Sequence, residues 1–179
     1  MEKSLFLSPE RLIPYFGLKP GDTVADFGAG HGHFTIPLAR AVGPKGKVYA
    51  IDVQRDVLDI VEARAKLEHL LDVESVWTDL ELAKGSKLNE ASVHFVLISN
   101  ILFQAQEKLN IMLEAYRILR PKGKVAVIEW APAAAPFGPP PGHRIPQEQV
   151  KEFATRVGFR LDRPFDAGSH HYGLLFIKK

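Results

Sequence analysis

The spacing of apolar residues predicts helices and strands that alternate along the chain. Short, almost wholly apolar runs are typical of parallel strands covered by helices on both faces, and they occur at residues 23–27, 47–52, 93–98 and 124–130. Apolar residues recur at helical spacing over residues 9–16, 33–42, 55–70, 106–119 and 147–157. Further strands are expected at residues 73–77, 160–163 and 172–177.

This order of elements predicts one α/β domain. Strands alternating with helices, followed by a closing hairpin, indicate a doubly wound, Rossmann-like, mostly parallel seven-stranded sheet with one antiparallel C-terminal strand. A chain of 179 residues, 46% of them hydrophobic, is long enough to bury a full core but leaves no room for a second large domain.

The first strand runs directly into a glycine-rich loop. Residues 26–32 have the pattern D-x-G-x-G-x-G and are followed by a predicted helix. Glycine lets the backbone approach a ligand where a Cβ would clash, and the helix start offers free N–H donors. A dinucleotide-binding G-x-G-x-x-G would place its third glycine at position 33, where this chain has His33.

Three features together resemble the class I S-adenosylmethionine-dependent methyltransferases. They are the glycine motif, the acidic Asp52 at the end of the second strand, and the turn at residues 120–123 before the fifth strand. The core is similar to that of type 11 methyltransferases and to that of ubiquinone/menaquinone methyltransferases, although the ubiquinone/menaquinone enzymes are longer. The resemblance covers residues 19–130 well and the rest in outline. It implies S-adenosylmethionine (SAM) as cofactor, S-adenosylhomocysteine (SAH) as product, and a final strand inserted beside the fifth.

The resemblance also implies a set of cofactor-binding residues. In such a site Asp26 orients the glycine loop and opposes the cationic methionine end, Asp52 accepts from the ribose hydroxyls, and Val53 covers one adenine face. Asp79 and Leu80 would bind the adenine edge, and Ser99 and Asn100 would face methionine and substrate. With the loop, the implied set is Asp26, Gly28, Ala29, Gly30, Gly32, Asp52, Val53, Asp79, Leu80, Ser99 and Asn100.

Each polar member of this set has a purely structural alternative. Asp26 could be a buried acid bonded to nearby backbone N–H groups, and the three glycines could form a tight turn. Asp52, Asp79 and Asn100 could each cap a following helix.

The chemistry of SAM explains why no catalytic residue is obvious. The sulfonium is its own leaving group, so methyl transfer needs mainly alignment and exclusion of water. An oxygen or carbon nucleophile would gain from a general base, for which His143 and then Glu129 are the candidates.

A proline-rich loop at residues 131–146 separates the core from the C-terminal helix and hairpin at residues 147–179. We expect it to roof the substrate site, with Phe137 in apolar contact and His143 or Arg144 in polar contact; the alternative is a rigid spacer. The pair His170 and His171 could also reach the site. A histidine pair without a matched carboxylate predicts no metal site.

Composition narrows the class of protein. A formal net charge of +2 predicts no dedicated nucleic-acid surface, and no apolar run predicts a signal peptide or a membrane span. The absence of cysteine excludes disulfides and a cysteine nucleophile. We therefore expect a cytoplasmic methyltransferase with a small-molecule acceptor, or else a protein acceptor. A SAM-binding module without activity is the alternative; an NAD-type oxidoreductase is disfavoured by His33 and by the missing substrate domain.

Overall fold

Seven strands form a single sheet with helices on both of its faces in the computed structural model, which describes residues 7–132 and 137–179. The helices are α1 (Pro9–Phe16), α2 (Thr35–Val42), α3 (Arg55–Leu67), α4 (Lys108–Ile118) and α5 (Gln147–Val157), with a 3₁₀ turn at Pro141–His143. The strands are β1 (Thr23–Phe27), β2 (Lys47–Asp52), β3 (Val73–Trp77), β4 (Val93–Ser99), β5 (Leu119–Trp130), β6 (Phe159–Asp166) and β7 (His171–Lys178). Residues 1–6, which precede the predicted helix over residues 9–16, and residues 133–136 of the proline-rich loop lie outside the described residues.

The strand order β3-β2-β1-β4-β5-β7-β6 confirms the predicted fold class. The first five strands pair in parallel, and β7 lies antiparallel between β5 and β6. The predicted insertion of the final strand beside the fifth is therefore also confirmed. One consequence matters for function: the carboxyl ends of β1 to β5 and the start of β7 meet at the same edge of the sheet.

Two apolar layers hold the helices against the sheet. Alternate residues of β5 face opposite sides, so that Val125 and Val127 pack with α4 and α5, while Ala126 and Ile128 pack with α1 and α2. Since β5 is buried on both faces, its central residues must all be apolar, which is why the sequence shows a continuous apolar run there.

Several predicted ends shift for identifiable reasons. Helix α4 begins at Lys108 rather than at residue 106, because the N–H groups of Gln106 and Glu107 donate to Glu81 Oε2 at 2.9 and 2.6 Å. Helix α3 ends at Leu67 rather than at residue 70, because His69 adopts a left-handed conformation with φ of 56°. Helix α2 begins at Thr35, two residues later than predicted.

Strand β5 begins five residues earlier than predicted. Leu119 pairs with Val93, and the register with β4 shifts before Lys124 pairs with Phe95. The expected turn at residues 120–123 survives as a bend inside the strand, with Lys122 at φ of 65°. Within the described part of the chain, no helix has both the length and the apolarity needed to cross a bilayer.

Candidate functional site

A cavity of about 510 Å³ opens at the carboxyl edge of the sheet. Its walls come from the loops that follow β1, β2, β3 and β4, where parallel strands converge. Most of the predicted cofactor residues line it: Gly28, Gly30, Asp52, Val53, Asp79, Leu80, Ser99 and Asn100. The sequence analysis missed further lining residues, namely Gln54, Glu81, Ile101, Gln104, Ala105 and Ile111. All but Ile111 follow strand ends within a few residues, which is the signal that could have found them.

The three other predicted cofactor residues lie behind the wall. Asp26 and Gly32 are buried, and Ala29 is 6% exposed. They act on the cavity only through the residues that they contact.

Asp52 ties two loops together. Its Oδ2 accepts from the N–H of Gly30 at 2.9 Å, and its Oδ1 accepts from the N–H of Gln54 at 2.9 Å. The cap of helix α3 is Gln54, so Asp52 does not occupy the capping position that was its structural alternative. A carboxylate offers about four lone-pair sites, so each oxygen can accept a further hydrogen bond from a ligand.

Asp26 lies beneath the glycine loop and is 2% exposed. Its Oδ2 accepts from the hydroxyl of Thr35 at 2.7 Å, at the start of helix α2. Burial raises the pKa of Asp26 to about 7, against a lowering by the Thr35 hydrogen bond, and the nearby charge of Asp52 raises it further. A cation that entered the cavity would favour the ionised form of this carboxyl.

Gly28 and Gly30 of the loop are required for different local reasons. A Cβ on Gly28 would clash with Cγ2 of Ile101, so glycine at this position makes room for the Ile101 side chain. Gly30, at φ of 49°, has no atom within 4 Å of a built Cβ, so the space beside it is open to the cavity.

At the opposite wall, Asp79 Oδ1 accepts from the N–H of Glu81 at 2.8 Å. Residues 80–86 form turns and a bend with no helix, so Asp79 caps no helix. Val53 is 55% exposed, and its carbonyl accepts from the indole N–H of Trp77 at 2.9 Å. Val53 therefore presents an apolar face, and Asp79 presents a carboxylate, at the same end of the cavity.

Asn100 adopts a left-handed conformation with φ of 56° directly after β4. Its backbone N–H donates to the carbonyl of Ile128, and its side-chain Nδ2 donates to Nε2 of His171 at 3.2 Å. The cap of helix α4 is Glu107, so Asn100 caps no helix. The structure thus brings His171 of the predicted histidine pair to the edge of the cavity.

The two predicted base candidates differ in their placement. Glu129 is fully buried, its Oε1 accepts from the N–H of Leu102 at 2.7 Å, and burial raises its pKa to about 7. It holds the loop after β4 in place. His143 is exposed on the 3₁₀ turn and is not part of the cavity wall.

The described part of the proline-rich loop is organised around Arg144, which is 6% exposed. Its guanidinium donates to the carbonyls of Ala131, Phe137 and Pro139 and lies 5.7 Å from the centre of the Trp130 ring. The Phe137 ring in turn lies 6.3 Å from that of Trp130. This packing fixes residues 137–144 against the end of β5, beside the start of β7. Across the described ranges, no three histidine or carboxylate side chains are grouped as a metal would require.

Known proteins share both the sequence and the fold. A family model described as a methyltransferase domain matches residues 18–156. The chain is 28% identical over 124 residues to a demethylmenaquinone methyltransferase of Lactobacillus johnsonii, covering 67% of this chain and 48% of the relative. It is 30% identical over 127 residues to a 2-phytyl-1,4-naphtoquinone methyltransferase of Trichormus variabilis, covering 68% and 52%. The chain thus spans about half the length of these relatives.

A solved structure agrees over nearly the whole chain. The crystal structure of a SAM-dependent methyltransferase from Aquifex aeolicus matches with a TM-score of 0.88 and 29% identity, covering 97% of this chain and 90% of that one.

The buried carboxyl of Asp26 gives a prediction for stability. In the folded protein the carboxyl group of Asp26 keeps its proton up to about pH 7, whereas the ordinary pKa of an aspartate is 3.8. As pH rises between these values the unfolded chain alone ionises, so the folded state loses stability. Relative to an Asp26→Asn variant, the wild type should lose up to about 1.4 kcal/mol of unfolding free energy per pH unit. Denaturant unfolding of both proteins at about pH 5 and about pH 7 measures this. Equal losses would show that Asp26 is already ionised in the folded state.

Proposed function

The chain belongs to the class I SAM-dependent methyltransferases, and we propose that it binds SAM in the cavity at the carboxyl edge and methylates a small molecule. The observation that carries this proposal is the cavity wall itself. There, Asp52 fixes the N–H of Gly30 and still offers lone pairs, at the point where a ribose would lie. The cavity volume also falls in the range of ordinary small-molecule sites.

Each part of the cavity suits one part of the cofactor. Asp52 would accept from the ribose hydroxyls, and Val53 and Leu80 would flank the adenine, with Asp79 at its edge. The open space beside Gly30 would take the chain that links ribose to methionine. Asp26 would supply negative charge beneath the methionine end, where its ionisation becomes easier next to a cation.

For the reaction, the residues of this chain need mainly to align the reactants and exclude water. SAM itself supplies the leaving group, because breaking its carbon–sulfur bond returns a neutral thioether. Ile101, Ala105 and Ile111 line the cavity near β4 and give that end an apolar wall. An acceptor held against it would meet the methyl group with little water between them.

Two observations support a small-molecule acceptor. The named relatives are, by their names, methyltransferases of quinone compounds. The loop held by Arg144 lies at the end of β5, beside the start of β7, where it would narrow the acceptor's access to the cavity. A cytoplasmic location is part of the same proposal.

Cofactor choice gives the first functional prediction. SAH at about a hundred times its dissociation constant should add roughly 2.7 kcal/mol to the free energy of unfolding. For a chain of this size that corresponds to a rise in Tm of about 5 to 10 °C. NAD at the same concentration should give no rise, because position 33 lacks the glycine of a dinucleotide loop. A rise with NAD alone, measured by differential scanning fluorimetry, would refute the cofactor assignment.

Methyl transfer is tested with a panel of small acceptors. We expect SAH to be released with at least one member of a set of hydroquinones, phenols, anilines and benzylamines. A coupled assay that detects SAH measures this release. Mass spectrometry of the product should show the gain of one methyl group. If SAH stabilises the protein but neither this panel nor a set of peptides yields SAH, the chain is a SAM-binding module without this activity.

A further inference from the structure

A second cavity, of about 290 Å³, opens at the amino edge of the sheet, opposite the edge that holds the proposed cofactor site. Its walls are the loop between α1 and β1, the start of β4 and the bend in β5. Thr23, at this end of β1, is five residues ahead of Gly28, which lines the first cavity. At about 3.3 Å per residue, the strand separates the two cavities by roughly 16 Å. A ligand held at the amino edge therefore takes no direct part in methyl transfer.

The walls of this amino-edge cavity carry a surplus of positive charge. Among its described lining residues, four cations face the single carboxylate of Asp22, and the cations are Lys19, Arg120, Lys122 and Lys124. This surplus of three exceeds the formal net charge of +2 for the whole chain. Within residues 7–132 and 137–179, none of the four cations forms an ion pair. Cations collected around a hollow and left unpaired attract an anion.

Asp22 does not neutralise the hollow. Its Oδ2 accepts from the backbone N–H of Lys19 at 2.8 Å, and its Oδ1 lies 3.9 Å from Nδ1 of His94. The carboxylate is thus turned to the backbone and to the Nδ1 side of the imidazole ring, and only 18% of its side chain is exposed. The other ring nitrogen, Nε2, faces Arg120.

His94 presents a hydrogen-bond donor to Arg120. The backbone N–H of Thr23 points at Nδ1 of His94 at 2.9 Å, so Nδ1 must be the ring nitrogen that accepts. A neutral imidazole that accepts at one nitrogen carries its hydrogen on the other, which here is Nε2. Yet Nε2 lies 2.8 Å from Nη1 of Arg120, and a guanidinium only donates. Two N–H groups cannot bond to each other, so both require an acceptor from elsewhere.

No other state of the ring resolves this conflict. A doubly protonated ring of His94 would have no acceptor for the N–H of Thr23. A ring turned over about its Cβ–Cγ bond would oppose carbon atoms to Thr23 and Arg120 alike. An acceptor that lies beside Nε2 and the guanidinium satisfies both donors at once.

We propose that the amino-edge cavity binds a phosphate group, whose oxygens accept from Nε2 of His94 and from the guanidinium of Arg120. The planar fork of arginine suits phosphate because it can donate two parallel hydrogen bonds. Phosphate fits better than a carboxylate, since it brings roughly two negative charges and three acceptor oxygens to a hollow that also holds three lysines. The group can belong to a free phosphate compound or to a lipid headgroup, and the proposal does not depend on the proposed function.

Binding is tested by titrating the wild type with inorganic phosphate, with sodium chloride used to keep the ionic strength constant. We expect saturable changes in the NMR signals of the backbone amides of Thr23 and of residues 120–124. The amides of Gly30 and Asp52, at the opposite edge, should not change. Constant ionic strength separates binding from general screening of the charges. The absence of saturable changes at residues 120–124, or equal changes at both edges, would overturn the proposal.

A pair of variants with the same change in net charge tests whether the site is specific. Arg120→Gln removes the fork and one charge, so the affinity for phosphate should fall about ten- to a hundredfold. Arg156→Gln removes one charge from an exposed position on α5 and should leave the affinity unchanged. Circular dichroism checks that both variants fold. Equal weakening in the two would show that net charge alone attracts phosphate and would contradict a site at Arg120.

The ring of His94 gives a readout that needs no ligand. In the wild type near neutral pH, the nitrogen chemical shifts of this ring should show hydrogen on Nε2 and none on Nδ1. A hydrogen on Nδ1 would let Nε2 accept from Arg120 and would remove the basis of the proposal. His94→Asn keeps an oxygen that can accept from the N–H of Thr23 but is too short to donate beside Arg120. Its affinity for phosphate should fall about tenfold.

Vesicles identify the source of the phosphate group. Sedimentation of the wild type with phosphatidylcholine vesicles that contain phosphatidic acid, and not with phosphatidylcholine alone, would assign the site to a lipid headgroup. Saturable binding of inorganic phosphate without such sedimentation would assign it to a soluble phosphate compound. In either case Arg120→Gln should lose the binding and Arg156→Gln should keep it.

Discussion

The site depends on the hydrogen bond from the N–H of Gly30 to the carboxylate of Asp52, 2.9 Å long. It joins the loop after β1 to the end of β2. These two strands pair in parallel and end side by side. Because the other oxygen of Asp52 accepts from Gln54, the carboxylate is held from two directions. One side chain thus shapes the glycine loop, starts the turn into α3 and presents an acidic surface to the cavity.

From this fixed point the cavity divides into two chemical halves. The half beside β2 and β3 carries carboxylates and matches the hydroxyls and the amino group of a nucleoside. The half beside β4, β5 and β7 carries an amide, a neutral imidazole and apolar walls. Beneath them lie two carboxyl groups, Asp26 and Glu129, whose burial raises their pKa values. Burial of these two carboxyl groups destabilises the fold, as is common at functional sites.

The sequence predicted the sheet, and it predicted most residues on the acidic side of the cavity wall, because both depend on local patterns. A run such as residues 93–98, apolar at every position except His94, implies a strand covered on both faces, and the spacing of Gly28, Gly30 and Gly32 implies a loop at a helix start. At the β4 end, Ser99, Asn100 and the pair His170 and His171 were expected to reach the site, but the contacts among them could not be predicted in this way. Asn100 and His171 meet only because β7 inserts beside β5, and the brace formed by Arg144 depends on carbonyls that no side-chain pattern reveals.

The central claim, that Asp52 holds the ribose as well as the glycine loop, is tested most directly by the SAH affinity of Asp52→Ala, measured by titration calorimetry. Loss of charge-assisted hydrogen bonds should weaken binding about ten- to a hundredfold. Asp59→Ala, an exposed aspartate on α3, is the control and should bind like the wild type. An Asp52→Ala protein that remains folded by circular dichroism and binds SAH with undiminished affinity would contradict the account.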